Sequence, residues 1–315
     1  YTLFGRQNQM CVIVAKYLKD GWVLAKNRDQ DYVATLSFLD EPDPDVGEIF
    51  VLDDHEIKYK EGMNHDPGLV IITTSLTPLL SIEDNKSDGE NIYKALHLSD
   101  PMEAAKFLVS KEMTGYIFCA TPDKLVLVEA ARKPNKEGKQ GVGIYVSRIR
   151  VVPTTETVVR TNHGVELPWA GFQTGYDAQQ DLWRKSSETR KEIAERLTKN
   201  SKTAEELLDA LATWDNRDTQ LNVFRIENKP RQMRTIFQWA LVPKISRVYL
   251  RPIQTKMEVD VSKEKIHIEV LDNEPIKKIY DGRIKHFTKI ETENGGDVIK
   301  AVQEAFVPFK KFIKN

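Results

Sequence analysis

Segments with strand character fall into two blocks of the chain, and this distribution limits the fold more than any other feature of the sequence. The first block runs from residue 11 to residue 152, the second from 221 to 270, and helical patterns at 179–199 and 203–214 separate them. Regular alternation of strand and helix would favour a parallel βαβ sheet, whereas grouped strands favour an α+β fold. The sequence therefore predicts an α+β architecture.

The dipeptide Asp20-Gly21 separates two apolar segments, 11–18 and 22–28. An Asp-Gly pair between two such segments is a strong signal for a two-residue hairpin loop. With Asp20 and Gly21 as the loop, the register places Ile13 opposite Arg28. Residues two apart on a strand share a face, so the hairpin predicts Cys11 and Arg28 on one face, about 7–8 Å apart between β-carbons.

Cys11 has two interpretations. A cysteine at the start of a strand is commonly a small core residue. Here the neighbouring Arg28 would favour a thiolate, and a cut after Met10 would give Cys11 a free α-amine that can act as a general base. Asp31 approaches Cys11 only if the strand breaks after Arg28. The other cysteine, Cys119, is flanked by apolar residues and is expected in the core.

Composition excludes several classes of protein. The net charge of −1 gives no reason to expect a nucleic-acid partner, and no apolar run is long enough to insert into a membrane. Two cysteines make no disulfide framework, and residues 1–10 lack the apolar stretch of a signal peptide, which favours a cytoplasmic location.

No cofactor or metal is expected. The sequence has no glycine-rich nucleotide-binding motif, and its six histidines form no HxxxH pair. The acidic, proline-containing segment 40–66 is predicted to be loop, including its ligand-rich stretches at 53–56 and 64–66.

Arg190 lies on the apolar stripe of a predicted helix over 183–197, together with two serines. A buried guanidinium is costly unless it meets an anion or several acceptors. Either Arg190 pairs with a buried carboxylate such as Glu129, or it points into an active site. Asn162, at the end of a predicted strand, is either a turn residue or a donor to a developing oxyanion.

Four short motifs occur in an order that resembles the N-terminal nucleophile (Ntn) hydrolases. Met10-Cys11 with Arg28-Asp29-Gln30-Asp31 is similar to the start of the choloylglycine hydrolase and penicillin V acylase family and of its acyltransferase relatives. The overlapping Asn27-Arg28-Asp29-Gln30 resembles the motif of the Asn-Arg-Asp-Glu family, with Gln for Glu. The other three motifs are Gly62-Met63-Asn64 before Gly68-Leu69, Thr161-Asn162-His163, and the Ser-x-x-Arg ending at Arg190.

The resemblance implies a four-layer αββα sandwich with two antiparallel sheets, formed by residues 11–315 after an extension or propeptide at 1–10. It implies a hydrolase of linear non-peptide amides, with a small N-acyl compound as substrate and Cys11 as nucleophile. It also assigns each remaining site residue a role: Arg28 favours the thiolate, Asp31 orients the α-amine, Asn162 and the backbone N–H near Ser75 hold the oxyanion, and Arg190 fixes the nucleophile or leaving group.

Two alternative functions stay open at this stage. An amine or thiol acceptor in place of water would make the same site an acyltransferase. A chain that keeps residues 1–10 would be a structural or assembly protein with a silent Cys11. The sequence does not decide whether the chain forms a homo-oligomer.

Overall fold

The computed structural model describes eleven stretches of the chain. They are 11–30, 36–43, 47–54, 57–64, 68–76, 82–134, 143–172, 178–211, 234–245, 247–252 and 267–270. The predicted strands at 221–226 and 256–261 and the predicted final helix at 296–306 lie outside them.

Six of the described strands form one sheet, here called sheet I, in the order β10-β1-β2-β11-β12-β13. Its neighbours are antiparallel except β12 and β13, which run parallel. The strands are β1 (Val12–Leu18), β2 (Gly21–Gln30), β10 (Val158–Arg160), β11 (Arg234–Val242), β12 (Arg247–Pro252) and β13 (His267–Val270).

Seven described strands form a second sheet, sheet II, in chain order from β3 to β9 with every neighbour antiparallel. Antiparallel neighbours can be joined by short connections, as between β3, β4 and β5, whereas the segment between β6 and β7 contains two helices. The strands are β3 (Leu36–Asp43), β4 (Gly47–Asp54), β5 (Ile57–Asn64), β6 (Val70–Thr74), β7 (Gly115–Ala120), β8 (Leu125–Arg132) and β9 (Tyr145–Val152).

Strand β1 shows how the sheets pack, because its sequence VIVAKYL is apolar on both faces at its start. Ile13 and Ala15 belong to a core shared with residues of sheet II such as Phe118. Val12 and Val14 instead pack with residues of the helices that cover the other face of sheet I. Apolar residues on both faces are expected for a strand buried on both sides.

Four described α-helices complete the fold, which is a mixed α+β arrangement. Helices α1 and α2 pack on sheet II around Ile117 and Val128, and α3 and α4 pack on sheet I. Asp100 caps α2 by accepting the N–H groups of Met102 and Glu103. The helices are α1 (Ile82–Ala95), α2 (Pro101–Ser110), α3 (Ala178–Thr198) and α4 (Ala204–Leu211). No helix among the described residues is long and apolar enough to cross a membrane.

The predicted hairpin exists, but its register differs by two residues. Leu18 pairs directly with Gly21, so Lys19 and Asp20 form the loop and Ile13 pairs with Lys26 instead of Arg28. Gly21 has φ +80°, and a Cβ there would lie 2.3 Å from the carbonyl oxygen of Pro122. The glycine is therefore required for a close approach between two loops, not as the second residue of the turn.

The prediction of a loop over 40–66 was wrong, since β3, β4 and β5 occupy most of this segment. Strand β3 lies at the edge of sheet II, and Pro42 and several acidic residues are compatible with that position. The sequence also predicts a pocket loop at roughly 76–95, where no substrate-specific motif is recognisable, and the structure instead contains α1 there.

A buried ion pair joins the two sheets. Lys26 of sheet I lies on the same face as Ile13 and forms a salt bridge with Glu61 of sheet II, and both side chains are at most 3 % exposed. The Lys26 Nζ also donates to the carbonyl oxygen of Thr73, at 2.6 Å. The two charged side chains can remain buried because each neutralises the charge of the other.

Removing one partner should therefore cost far more stability than removing both. We expect Lys26→Met to lower the free energy of unfolding by about 3–5 kcal/mol, because it leaves the Glu61 carboxylate buried without its cation. The double variant Lys26→Met/Glu61→Leu should recover most of that loss. Urea unfolding of the two variants measures both values, and equal losses would show that the ion pair is not compensating.

Candidate active site

Cys11 immediately precedes β1 and is 1 % exposed. Its backbone N–H donates to the side-chain Oδ1 of Asn162, at 3.1 Å. Its backbone carbonyl accepts a hydrogen bond from Nη1 of Arg190, at 2.9 Å. Two side chains from distant parts of the chain therefore hold the backbone of the predicted nucleophile on both sides.

The orientation of the Asn162 amide is determined by its partners. Oδ1 accepts from the N–H of Cys11 and from Nη2 of Arg190, the latter at 3.2 Å, while Nδ2 donates to the carbonyl oxygen of Ser75, at 3.0 Å. The two N–H donors require an oxygen and the Ser75 carbonyl requires an N–H group, so only one orientation of the Asn162 amide satisfies all three contacts. Asn162 is thus a link between Cys11, Arg190 and the end of β6, and not a plain turn residue.

Arg190 reaches this site from α3, and its side chain is completely buried. Helical spacing placed it on the inward stripe with Ser187 and Ala194, and both are buried. The alternative partner, Glu129, is engaged elsewhere: its carboxylate accepts the backbone N–H groups of residues 165, 166 and 167. Two acceptors of Arg190 are oxygens of the candidate site, the carbonyl oxygen of Cys11 and Oδ1 of Asn162.

Two hydroxyl groups and one imidazole form a hydrogen-bonded cluster around Asn162. This cluster was not predicted from the sequence. Ser187 Oγ accepts the backbone N–H of Asn162, at 2.9 Å, and lies 2.9 Å from Nδ1 of His163. Thr161 Oγ1 donates to the carbonyl oxygen of Ser187, also at 2.9 Å. The signal was present in the sequence, because Ser187 precedes Arg190 by three residues and so lies on the same face of α3.

The loop after Asn162 is folded back on it. The backbone N–H of Phe172 donates to the Asn162 carbonyl oxygen, at 3.2 Å, and His163 forms a bridge with Gly171. Gly171 has φ +73°, and a Cβ there would lie 2.4 Å from the same carbonyl oxygen. The Tyr116 hydroxyl adds a hydrogen bond to the carbonyl oxygen of His163. The backbone on both sides of Asn162 is thus fixed by tertiary contacts.

The structure relates the other predicted site residues to Cys11 only in part. In the observed pairing of β1 with β2, Val12 lies opposite Asn27, the chain neighbours of Cys11 and Arg28. The predicted proximity of the Cys11 and Arg28 side chains stays a prediction. Asp31 lies outside the described residues. Ser75 contacts the site through its carbonyl oxygen, so the predicted donor role of its N–H stays a prediction.

Cys119 is a core residue, as expected. It is fully buried among the apolar side chains under α1 and α2. Burial raises the pKa of the Cys119 thiol well above its usual range, which keeps the thiol protonated. Cys119 is therefore a suitable negative control for any chemistry assigned to Cys11.

Comparisons with known proteins give no family for this chain. No family model matches it, and no curated protein matches it either. Within the part of the chain that the structure describes, no group of three or more His, Cys, Asp or Glu side chains is placed to hold a metal ion. The case for a function therefore depends on the contacts around Cys11.

His163 should make stability depend on pH. Burial, followed by the nearby cations Arg184, Arg190, Lys191 and Arg160, lowers the pKa of His163 from 6.5 to about 3. Below pH 6.5 the unfolded chain binds a proton at this histidine and the folded chain does not, so stability falls as the pH falls toward about 3.

We expect His163→Asn to remove this part of the pH dependence, which amounts to about 2 kcal/mol between pH 6.5 and pH 5. Asparagine keeps a polar atom near the position of Nδ1. Chemical unfolding at several pH values measures the slope in the variant and in the unmodified protein. An unchanged slope in His163→Asn would contradict the assignment.

Proposed function

We propose that this chain is a cysteine N-terminal-nucleophile amidohydrolase that cleaves a linear, non-peptide amide through an acyl-enzyme on Cys11. One observation carries the proposal: the nitrogen of Cys11 is held by Asn162 while its carbonyl is held by Arg190. In an enzyme of this kind that nitrogen is the general base, and its position decides whether the thiol proton can be removed.

The proposed fold is the four-layer αββα sandwich of the Ntn hydrolases. Three core clusters support it: one between the two sheets, one under α1 and α2 on sheet II, and one under α3 and α4 on sheet I. The parallel pairing of β13 with β12 is an addition to an otherwise antiparallel sheet I.

The proposed reaction begins when the bond between Met10 and Cys11 is cut. The freed α-amine of Cys11 removes the thiol proton, and the sulfur attacks the carbonyl carbon of the substrate amide. The tetrahedral intermediate collapses as the amine of Cys11 returns the proton to the leaving nitrogen. Water then attacks the thioester, releases the carboxylic acid and regenerates the thiol.

The oxyanion formed in each addition needs fixed donors. The Nδ2 of Asn162 carries two hydrogens, and its bond to the carbonyl oxygen of Ser75 uses one of them. The second hydrogen is the proposed oxyanion donor, with the backbone N–H near Ser75 as the other. Because Oδ1 is held by Cys11 and Arg190, the amide would not need to reorient during the reaction, which is what electrostatic preorganisation requires.

The remaining roles follow the resemblance. Arg28, the residue after Asn27, is assigned to the Cys11 thiol, and Asp31 orients the α-amine. Arg190 fixes the nucleophile through its backbone carbonyl. The same acyl-enzyme would support an acyltransferase if an amine or thiol acceptor excluded water.

A second candidate function also has an observation in its favour. Cys11 is 1 % exposed and its backbone N–H and carbonyl are both engaged. A chain that keeps residues 1–10 attached would hold the thiol in this covered position. The protein would then be a structural or assembly protein with a silent cysteine.

An activity screen tests the enzyme proposal directly. A chain in which a single Met replaces residues 1–10 should lose that Met and begin at Cys11. We expect it to hydrolyse at least one compound among N-acyl amino acids, bile-salt conjugates, penicillin V and acyl-homoserine lactones. Released amine is the readout, and added amine or thiol acceptors reveal acyl transfer.

Variants identify the residues responsible. Cys11→Ala should abolish activity and Asn162→Ala should lower kcat by about 10²–10³, because an oxyanion donor is lost. Cys119→Ala should leave kcat nearly unchanged. Activity that survives Cys11→Ala, or no activity at all in a chain that is shown to begin at Cys11, would overturn the proposal.

A further inference from the structure

A second arginine lies in the interior beside the candidate site. Arg160 is 6 % exposed and pairs with Ile13 across β10 and β1. Arg160 is two residues before Asn162, and Ile13 is two residues after Cys11. Two residues correspond to about 6.6 Å along a strand. Its guanidinium lies 5.5 Å from the ring centroid of Tyr116, a residue of the core between the two sheets.

Arg160 forms no salt bridge with a carboxylate of the described residues. Its Nη1 donates to the carbonyl oxygen of the preceding residue, Val159, and its Nε has no hydrogen-bond partner. The Tyr116 ring attracts a cation, but it offers Nε no acceptor in the plane of the guanidinium. A buried, incompletely bonded cation is costly to keep unless something else binds it.

The carboxylates that could have neutralised Arg160 are engaged with other groups. Glu61 forms its salt bridge with Lys26. Glu129 accepts three backbone N–H groups of the loop after Asn162. Glu156 is near enough for Arg160 to contribute to lowering its pKa, but both of its oxygens accept from Arg150.

A second buried polar group lies next to the same tyrosine. Thr74 is directly opposite Tyr116 in the pairing of β6 with β7, so their side chains share a face of sheet II. The Thr74 hydroxyl is buried and has no hydrogen-bond partner. The next residue, Ser75, is the one bonded to Asn162. Two unsatisfied groups, Arg160 Nε and Thr74 Oγ1, therefore flank Tyr116 beside the site.

We propose that Arg160 binds a carboxylate carried by the amide substrate, so that the enzyme selects anionic N-acyl compounds over neutral ones. The inference rests on the proposed function, because it assigns the substrate class of the same site. A carboxylate accepts two parallel N–H donors of a guanidinium, which include the Nε that is unsatisfied in this structure. Among the candidate substrates this favours N-acyl amino acids, bile-salt conjugates and penicillin V over acyl-homoserine lactones, which carry no charge.

The carboxylate can belong to either half of the amide, and matched probes distinguish the two cases. N-phenylacetylglycine carries it on the amine side, and N-phenylacetylglycinamide is its neutral counterpart. Glutaranilic acid carries it on the acyl side, and its primary amide is the neutral counterpart. The anionic member that binds more tightly identifies the half that reaches Arg160.

Direct binding to the Cys11→Ala form of the chain in which a single Met replaces residues 1–10 tests the inference without turnover, so a failure of hydrolysis does not affect the result. We expect calorimetry to show at least one anionic probe bound about tenfold or more tightly than its neutral counterpart. Arg160→Met should abolish this preference. Arg148→Met is the matched control, because Arg148 also donates to the carbonyl oxygen of the residue before it but is exposed, and it should keep the preference.

Equal binding of both members of each pair, no binding of any probe, or an unchanged preference in Arg160→Met would each overturn the inference. Arg160→Met is expected to fold, because it replaces an unsatisfied buried cation with an apolar side chain of similar length. Arg160→Lys is a second test variant. It keeps the positive charge, so it should retain part of the preference for the anionic probe that Arg160→Met loses.

Discussion

The side-chain amide of Asn162 connects the parts of this molecule that matter for its proposed chemistry. Its oxygen meets the backbone nitrogen of Cys11 at the start of sheet I and a guanidinium from α3, and its nitrogen meets the end of β6 in sheet II. A helix and both sheets therefore converge on one planar group with four bonding positions. Misplacing any of these elements would leave a buried polar atom unsatisfied, which is expensive in a core of this kind.

The network around this amide also explains why polar residues are concentrated in one part of an apolar interior. Ser187 bonds the backbone of Asn162, and His163 is kept neutral next to several cations. Glu129 holds the following loop through three N–H groups. Arg160 forms no salt bridge within the described residues and its Nε is unsatisfied, which is the basis for assigning it a ligand.

Much of this arrangement could be predicted from residue patterns. Helical spacing placed Arg190 on the buried face, and the Asp-Gly pair between two apolar segments predicted the hairpin of β1 and β2. Other parts depended on contacts between distant segments. The hairpin register was two residues off because Gly21 is required by Pro122, more than a hundred residues away. Strands β3 to β5 are acidic, and pairing within sheet II stabilises them more than their own composition suggests.

The central claim concerns the bond between Met10 and Cys11, because only its cleavage turns the held nitrogen into a base. Intact-mass analysis of the purified full chain, before and after treatment with iodoacetamide, measures this directly. The account predicts a species that begins at Cys11 and gains one label there. A protein that always retains residues 1–10 and leaves Cys11 unlabelled under native conditions would contradict it.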